Sequence, residues 1–289
     1  MGLLFIYVTI YTIYMRPILE KAARAAGIVI LSYFHKESHI SRKTSHQNLV
    51  TEADTNSQAL IKKIITDELV LLGVSENEIG FIGEENLEQK GTSHSFIIDP
   101  LDGTNNFASG LDYFCISIAH VEDEVVVDSV IYWPSRDILY YATAGKGAFK
   151  IVKGQSPIPL MVKDELLENS VIFTYLSSQP HYRALSFQFI EKIFSAIRGI
   201  RIQGSLCLDL VHLCDSENAT HITLNFHGWL WDVAAGYLIV KESGGIFADL
   251  VGNEIQVDYT DSHKQYSFIA AHPNVVKALI PYLTPHAQK

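Results

Sequence analysis

Cysteine is scarce in this chain. Three stand in 289 residues, Cys115, Cys207 and Cys214, and no two form a Cys-x-x-Cys pair. That excludes a disulfide scaffold, and an odd, unpaired count fits a reducing, cytoplasmic setting. Basic residues are also few: 22 Lys and Arg against 32 Asp and Glu, a formal net charge of −10. A dedicated nucleic-acid binder would carry a basic surplus, so no nucleic-acid partner is expected. A phosphorylated substrate is not excluded, because bound metals reverse the local sign of charge. A membrane-length apolar run is missing too. The uncharged stretch at residues 2–14 falls short of the ~20 residues of a spanning helix, and it lacks the basic start and cleavage site of a signal peptide. Met15 follows it directly, so residues 1–14 read as an extension upstream of a start at Met15, with a weak membrane anchor the alternative. No internal repeat or low-complexity tract stands out. What is present is 48% apolar and 19% charged, a globular composition long enough for one large core or two tightly packed halves.

The stretch that organises the chain is Ile97-Ile-Asp-Pro-Leu-Asp-Gly-Thr-Asn-Asn-Phe107. Two apolar residues end a strand at Ile98. Pro100, with no N–H and a fixed φ, stops it from continuing as a central strand. Asp99 and Asp102 are thrown off the strand end together. Gly103-Thr104 opens a helical turn whose free N–H groups face the same point. Paired carboxylates suit a hard divalent cation and a helix N-terminus suits an anion, which together spell metal plus phosphate. Either Asp alone would read as an ordinary turn residue.

Along the rest of the chain, a core helix runs from Pro17 to Phe34, with Ile18, Ala22, Ala25, Val29 and Tyr33 on one face. Residues 35–48 read as a polar loop whose His35, His39 and His46 are surface histidines. The next helix starts near Asp54, capped by Asp54 or by a Thr55–Gln58 box. Glu78–Ile82 is a strand, followed by Gly83-Glu84-Glu85. Alternation marks strands at 115–119, 124–132, 138–143 and through Ala148-Phe149-Lys150, with a hairpin turn at Gly145-Lys146-Gly147. Residues 153–169 cross between halves. A strand at 171–176 and a helix at 182–197 precede Arg201-Ile-Gln-Gly-Ser-Leu-Cys207. After a strand at 221–224, Trp231-Asp232-Val-Ala-Ala-Gly236 opens a helix that stops at Gly244-Gly245, with Asp232 placed to cap it. A strand at 266–271 and a helix at 273–283 close the chain.

Three segments in this order, Gly83-Glu84-Glu85, Asp99-Pro-Leu-Asp-Gly-Thr104 and Trp231-Asp-Val-Ala-Ala-Gly236, resemble the motifs of the inositol monophosphatase family, Mg2+-dependent, lithium-sensitive sugar phosphatases. Val50-Thr51-x-x-Asp54 and Arg201-x-x-Gly204-Ser205-x-Cys207 are similar to further family segments, and Lys43 falls where the family has a lysine. The resemblance covers residues 15–289. It implies a mixed α and β fold, the layered αβαβα sandwich shared with fructose-1,6-bisphosphatase, as a single phosphatase domain with halves at about 15–160 and 161–289. It implies two or three Mg2+ ions. Glu84, Asp99 and the Leu101 carbonyl would hold the ion that activates water, and Asp99, Asp102 and Asp232 the second. Thr104 with Asp54 would orient the water, making Asp54, Glu84 and Thr104 catalytic. Asp102, Gly103, Thr104, Gly204, Ser205, Cys207, Asn225 and Asp232 would meet the substrate. A homodimer is implied as well.

The expected activity is hydrolysis of a small polyol or sugar phosphate, with myo-inositol 1-phosphate the first choice. One departure bears on this. Seven residues before Asp232 the inositol phosphatases carry a Glu that holds inositol hydroxyls, and here Asn225 stands there. Fructose-1,6-bisphosphatase and histidinol-phosphatase activities are therefore alternatives. The related 3′-nucleotidases carry Lys after Asp-Gly-Thr, where this chain has Asn105. A regulatory binding protein on the same fold is the alternative of another class.

Overall fold

The computed structural model describes residues 2–36, 40–45, 48–216 and 220–283, with side chains for 15–36, 52–216 and 221–283. Helix α1 (Gly2–Tyr33) leads through a hairpin of β1 (Ile40–Ser45) and β2 (Asn48–Thr51) to α2 (Glu52–Leu71). Then come β3 (Ile79–Gly83), β4 (Leu87–Gln89), β5 (His94–Asp102), the short α3 (Thr104–Ala108), β6 (Cys115–Glu122), β7 (Val125–Trp133), β8 (Ile138–Thr143), β9 (Ala148–Val152) and β10 (Ile158–Pro159). The chain continues through β11 (Ser170–Thr174), α4 (Pro180–Ile193), β12 (Gly199–Arg201), α5 (Leu206–Cys214), β13 (Thr220–Trp229), α6 (Leu230–Glu242), β14 (Ile246–Ala248), β15 (Gln265–Ala271) and α7 (Pro273–Leu279).

Strands β3–β10 form an eight-stranded sheet in the order β10-β9-β8-β7-β6-β5-β3-β4, antiparallel except where β3 runs parallel to β5. Strands β11–β15 form a five-stranded mixed sheet ordered β12-β11-β13-β15-β14. Alternation along the strands sends successive residues to opposite faces, and the core divides accordingly. Phe96 and Ile98 of β5 pack with α1 and α2 residues such as Leu19 and Ile61. Ile97, between them, joins Leu210 of α5, Ile239 of α6 and Phe268 of the second sheet. The far face of that sheet packs Ile222 and Ile269 against Phe189 of α4 and Val276 of α7. The result is the expected αβαβα sandwich, with α5 and α6 shared by both sheets.

Several elements differ from the sequence expectation. α1 begins at Gly2, not Pro17, and Pro17 lies exposed inside it. There its ring points to solvent, though it cannot bond four residues back. The buried stripe of α1 is rotated as well: Leu19, Ala22, Ala23, Ala26 and Ile30 are fully buried, while Ala25 and Val29 are only partly so. The strand beneath explains this. A Cβ on Gly27 would stand 2.6 Å from the Tyr132 ring, so small residues set how closely α1 approaches β7. The stretch read as a loop contains the β1–β2 hairpin. His39, His46 and the Lys43 side chain lie outside the described residues, and His35 is exposed against Phe34. Asp54 is the third residue of α2, which begins at Glu52, and Gln58 bonds the Glu85 backbone instead of closing a box with Thr55. β13 runs on to Trp229, five residues past the expected end. Among the described residues, no helix is long and apolar enough to cross a membrane.

The shared helices are tied to both sheets. The Glu242 carboxylate, ending α6, accepts from the amides of Gly145 (2.7 Å) and Gly147 (2.8 Å) in the β8–β9 turn. His212 of α5 lies among Tyr113 and Trp133 on one side and Phe173 of β11 on the other, with ring centroids 5.5–6.0 Å away. Burial lowers its pKa from 6.5 to about 4. The folded state therefore binds fewer protons than the unfolded state between those values, and stability falls as pH drops through that window. His212→Phe should flatten the pH dependence of stability by about 1–2 kcal/mol between pH 7 and 5. Urea unfolding at the two pH values checks this, and parallel losses in both proteins would contradict it.

Candidate active site

The site forms where β5 ends between the two sheets. Pro100 does not stop this strand, which runs on through Asp102. The pairing with β6 slips instead, with Asp99 opposite Ser117 and Asp102 opposite Cys115, so three steps on β5 match two on β6. Such a bulge leaves one residue off the ladder, where a proline's missing N–H costs nothing. It also changes the facing of the acids. Residues three apart on a regular strand point to opposite sides, and the extra residue brings Asp99 and Asp102 to one side. Asp232 meets them from the first turn of α6. Each of the three acids offers an oxygen within 4.8 Å of the others. Glu84, after β3, lines the same cavity of about 360 Å³ with Leu101, Gly103, Thr104 and Asn105.

Each acid is held by its surroundings. Leu101 N donates to Asp99 Oδ1 at 3.0 Å. Trp229 N donates to Asp232 Oδ2 at 2.8 Å, so Asp232 caps its helix and faces the cluster at once. Asp102 accepts from Cys207 N at 2.8 Å, from Leu206 N at 3.3 Å and from the Ser205 hydroxyl, which places it on the N-terminus of α5. Ser205 and Cys207 are thus buried supports of Asp102, and Gly204 and Leu206 are the residues of this segment on the cavity wall. Asn106 Nδ2 fastens the segment to the motif loop by donating to Tyr113 O and Gln203 O, both at 2.7 Å. Gly103, at φ 93°, precedes α3, and a Cβ there would stand 2.8 Å from Tyr113 O. Thr104 Oγ1 lies 3.2 Å from Asp54 Oδ1 and 3.0 Å from Leu101 O, and its one proton can serve only one of them.

Burial pushes the Asp99 carboxyl well above the usual range, reinforced by the charges of Glu84, Asp102 and Asp232. Asp232 is raised well above its ordinary value by burial and then by Asp102 and Glu84. Asp102 is also raised by burial, against which its hydrogen bonds work. Oxygen donors gathered at such electrostatic cost suit a hard dication. Cys115 and Cys207 approach Asp102 too, but burial raises both thiols and keeps them protonated, so they make poor ligands.

The sequence reading named Asn225, which is buried on the cavity wall, with neither side-chain amide atom finding a partner among the described residues. It missed Tyr175, Ser177, His227, Trp229 and Trp231, which complete the wall. A bulge in β13 between Asn225 and Gly228, with His227 at φ 79°, turns this wall inward. No residue-type signal in the sequence marks those positions; in the structure the Trp229 and Trp231 rings stack at 5.3 Å.

This fold and site define a phosphatase of the layered sandwich class. More specifically, the chain belongs to the inositol monophosphatase family, whose sequence model matches residues 14–287. It is 32% identical over 234 residues to a Thermotoga maritima fructose-1,6-bisphosphatase/inositol-1-monophosphatase, covering 81% of this chain and 84% of the relative. It is 30% identical to the Nus factor SuhB of Xylella fastidiosa, with 91% of each chain covered. Among solved structures, an extragenic suppressor protein SuhB from Bartonella henselae superposes with a TM-score of 0.78 at 27% identity, covering 93% of this chain and 98% of that one.

Opposed carboxylates predict a stability cost. In chelator, Asp99→Asn should unfold about 1–2 kcal/mol later than the parent, roughly 2–6 °C in Tm. Saturating Mg2+ should raise the parent's Tm and leave the variant nearly unmoved. Differential scanning fluorimetry reads both, and an unchanged Tm in chelator would mean the acids do not oppose one another.

Proposed function

We propose that this protein hydrolyses a small polyol or sugar phosphate monoester in a Mg2+-dependent reaction, with myo-inositol 1-phosphate the leading substrate. The observation that carries this is the buried Asp99–Asp102–Asp232 cluster sharing one cavity with Thr104, whose hydroxyl is backed by the buried Asp54 carboxylate at 3.2 Å. Glu84, Asp99, the Leu101 carbonyl, Asp102 and Asp232 would hold two or three Mg2+ ions. Bound there, Mg2+ supplies Lewis-acid stabilisation of phosphate charge and a nucleophile at neutral pH.

The chain's own residues do the rest. When Thr104 donates to Asp54, its oxygen is left to accept a proton from the attacking water as its own hydroxyl proton passes to the Asp54 carboxylate. Backbone N–H groups in the first turn of α3, which the helix itself does not use, are available to phosphate oxygens at Gly103 and Thr104. Asn225 offers a carbonyl and an amide to substrate hydroxyls, neutral where a Glu would be charged. Tyr175, Trp229 and Trp231 shape an aromatic wall for the ring or chain of the alcohol. Because Asn225 binds hydroxyls without charge, fructose 1,6-bisphosphate and histidinol phosphate belong in the same test. The double name of the Thermotoga relative supports keeping the first of them. Lithium inhibition, a homodimer and a cytoplasmic setting accord with the family and with three free, buried cysteines. A second, regulatory reading rests on relatives named Nus factor SuhB.

Phosphate release from a panel of inositol 1-phosphate, fructose 1,6-bisphosphate, histidinol phosphate and a 3′,5′-nucleotide should be Mg2+-dependent with one clear winner. No release by folded, metal-loaded protein would favour the regulatory reading. On the winning substrate, Thr104→Ala should lower kcat by about 10²–10⁴-fold. Asn225→Ala should raise KM about tenfold with kcat nearly unchanged, the mark of uniform binding loss. The reverse split between the two variants would exchange their roles.

A further inference from the structure

A second cluster sits at the opposite end of β5. We propose that His94, His120 and Glu122 form a binding site for a borderline transition-metal dication, Zn2+ by ligand type, separate from the carboxylate centre. His94 opens β5 and Glu122 ends β6, while Asp99 and Asp102 lie at the other end of β5. Five extended steps lead from His94 to Asp99, about 17 Å. The register sets Phe96 opposite His120. His94, two residues before Phe96, and Glu122, two after His120, therefore share one face.

The distances are those of a coordination sphere. His94 Nδ1 lies 3.1 Å from His120 Nε2 and 3.2 Å from Glu122 Oε1. His120 Nε2 lies 3.5 Å from that same oxygen. Ligands held about 2.0–2.1 Å from Zn2+ in a tetrahedron stand about 3.3 Å apart, so these three atoms trace one face of such a tetrahedron. Two imidazoles and one carboxylate, leaving a fourth position, are a ligand set for zinc and not for Mg2+ or Ca2+. Glu122 is 37% exposed and gives the site its opening to solvent.

The ligands are prepared for binding. Burial lowers the pKa of His120 and keeps its imidazole neutral, the form that coordinates metal. The hydrogen bond with His94 lowers the Glu122 carboxyl and keeps it ionised. Behind His120, its Nδ1 faces Asp128 Oδ2 at 4.0 Å and has no hydrogen-bond partner among the described residues. Asp128 is buried and fixed by the Thr143 hydroxyl at 2.6 Å. At 4.0 Å this is not yet a hydrogen bond, and closing the gap on metal binding would give the carboxylate behind the ring that orients metal-binding histidines. The Phe96 ring, stacked on His120 at 4.8 Å, sets its plane. The two ring nitrogens face each other at hydrogen-bond distance, and a dication bound between them and Glu122 would clip β5, the strand that carries Asp99 and Asp102, to β6.

The test uses tag-free protein in saturating Mg2+, titrated with Co2+ as a spectroscopic substitute for Zn2+. The parent should take up one equivalent with the intense visible bands of tetrahedral Co2+, and Zn2+ should displace it. His94→Gln and Glu122→Gln should abolish the bands and weaken Zn2+ binding at least tenfold by calorimetry, and Asp128→Asn should weaken it about 10- to 100-fold. His94→Gln and Glu122→Gln carry the test because both sit nearer the surface than His120 and Asp128, which are almost wholly buried. Asp99→Asn should keep the bands, which separates this site from the carboxylate centre. Any other pattern, including no tetrahedral bands in the parent or bands that survive in His94→Gln and Glu122→Gln, overturns the proposal.

Discussion

Charge repulsion between buried carboxylates is the constraint to which the rest of this structure answers. Asp99, Asp102 and Asp232 stand within one small volume, with Glu84 close enough to raise Asp99 and Asp232 further. Left to themselves, such groups would separate or be hydrated. They stay because each is gripped by backbone amides: Asp99 by Leu101, Asp102 by the start of α5, Asp232 by Trp229. The grip comes from three parts of the chain that meet only in the finished fold. The site is therefore a property of the assembled layers and not of any one loop.

That dependence explains the layering. β5 belongs to the eight-stranded sheet, while α5 and α6 lie between that sheet and the five-stranded one. Asp102 crosses from the first sheet to the N-terminus of α5, and the Asn106 amide spans Tyr113 and Gln203 in the same way. His212, with aromatic rings from both sheets around it, fills the space behind.

Much of this was legible in the sequence, for definite reasons. The acids stand next to residues with strong local habits, such as Gly103, Pro100 and the Gly244-Gly245 stop, so their motifs could be read in order. The alternating strands β6 to β9 followed from pattern. Pro100 misled, because a bulge depends on which residues of β6 lie opposite. The buried stripe of α1 misled, because Gly27 meets a tyrosine more than a hundred residues away. The β1–β2 hairpin is polar and carries no apolar alternation. Trp229 and the Asn225 amide, unpartnered among the described residues, reach one cavity through the bulge in β13, and Tyr175 joins them from the end of the neighbouring β11. The contact among His94, His120 and Glu122 is likewise a matter of strand register, which spacing in the chain does not reveal.

The two amides that hold Glu242 carry one more consequence. α6 starts beside Asp232 and ends at a carboxylate pinned to the β8–β9 turn. The ten steps from Asp232 to Glu242 span about 15 Å of rigid helix. Exposed turns between antiparallel strands are ordinarily where a chain accepts insertions or fused segments most readily. Here lengthening the turn at Gly145–Gly147 would free the far end of the rod that presents Asp232. A tag or domain grafted at that turn would be felt at the carboxylate cluster, so this hairpin, although on the surface, belongs to the mechanical frame of the active site.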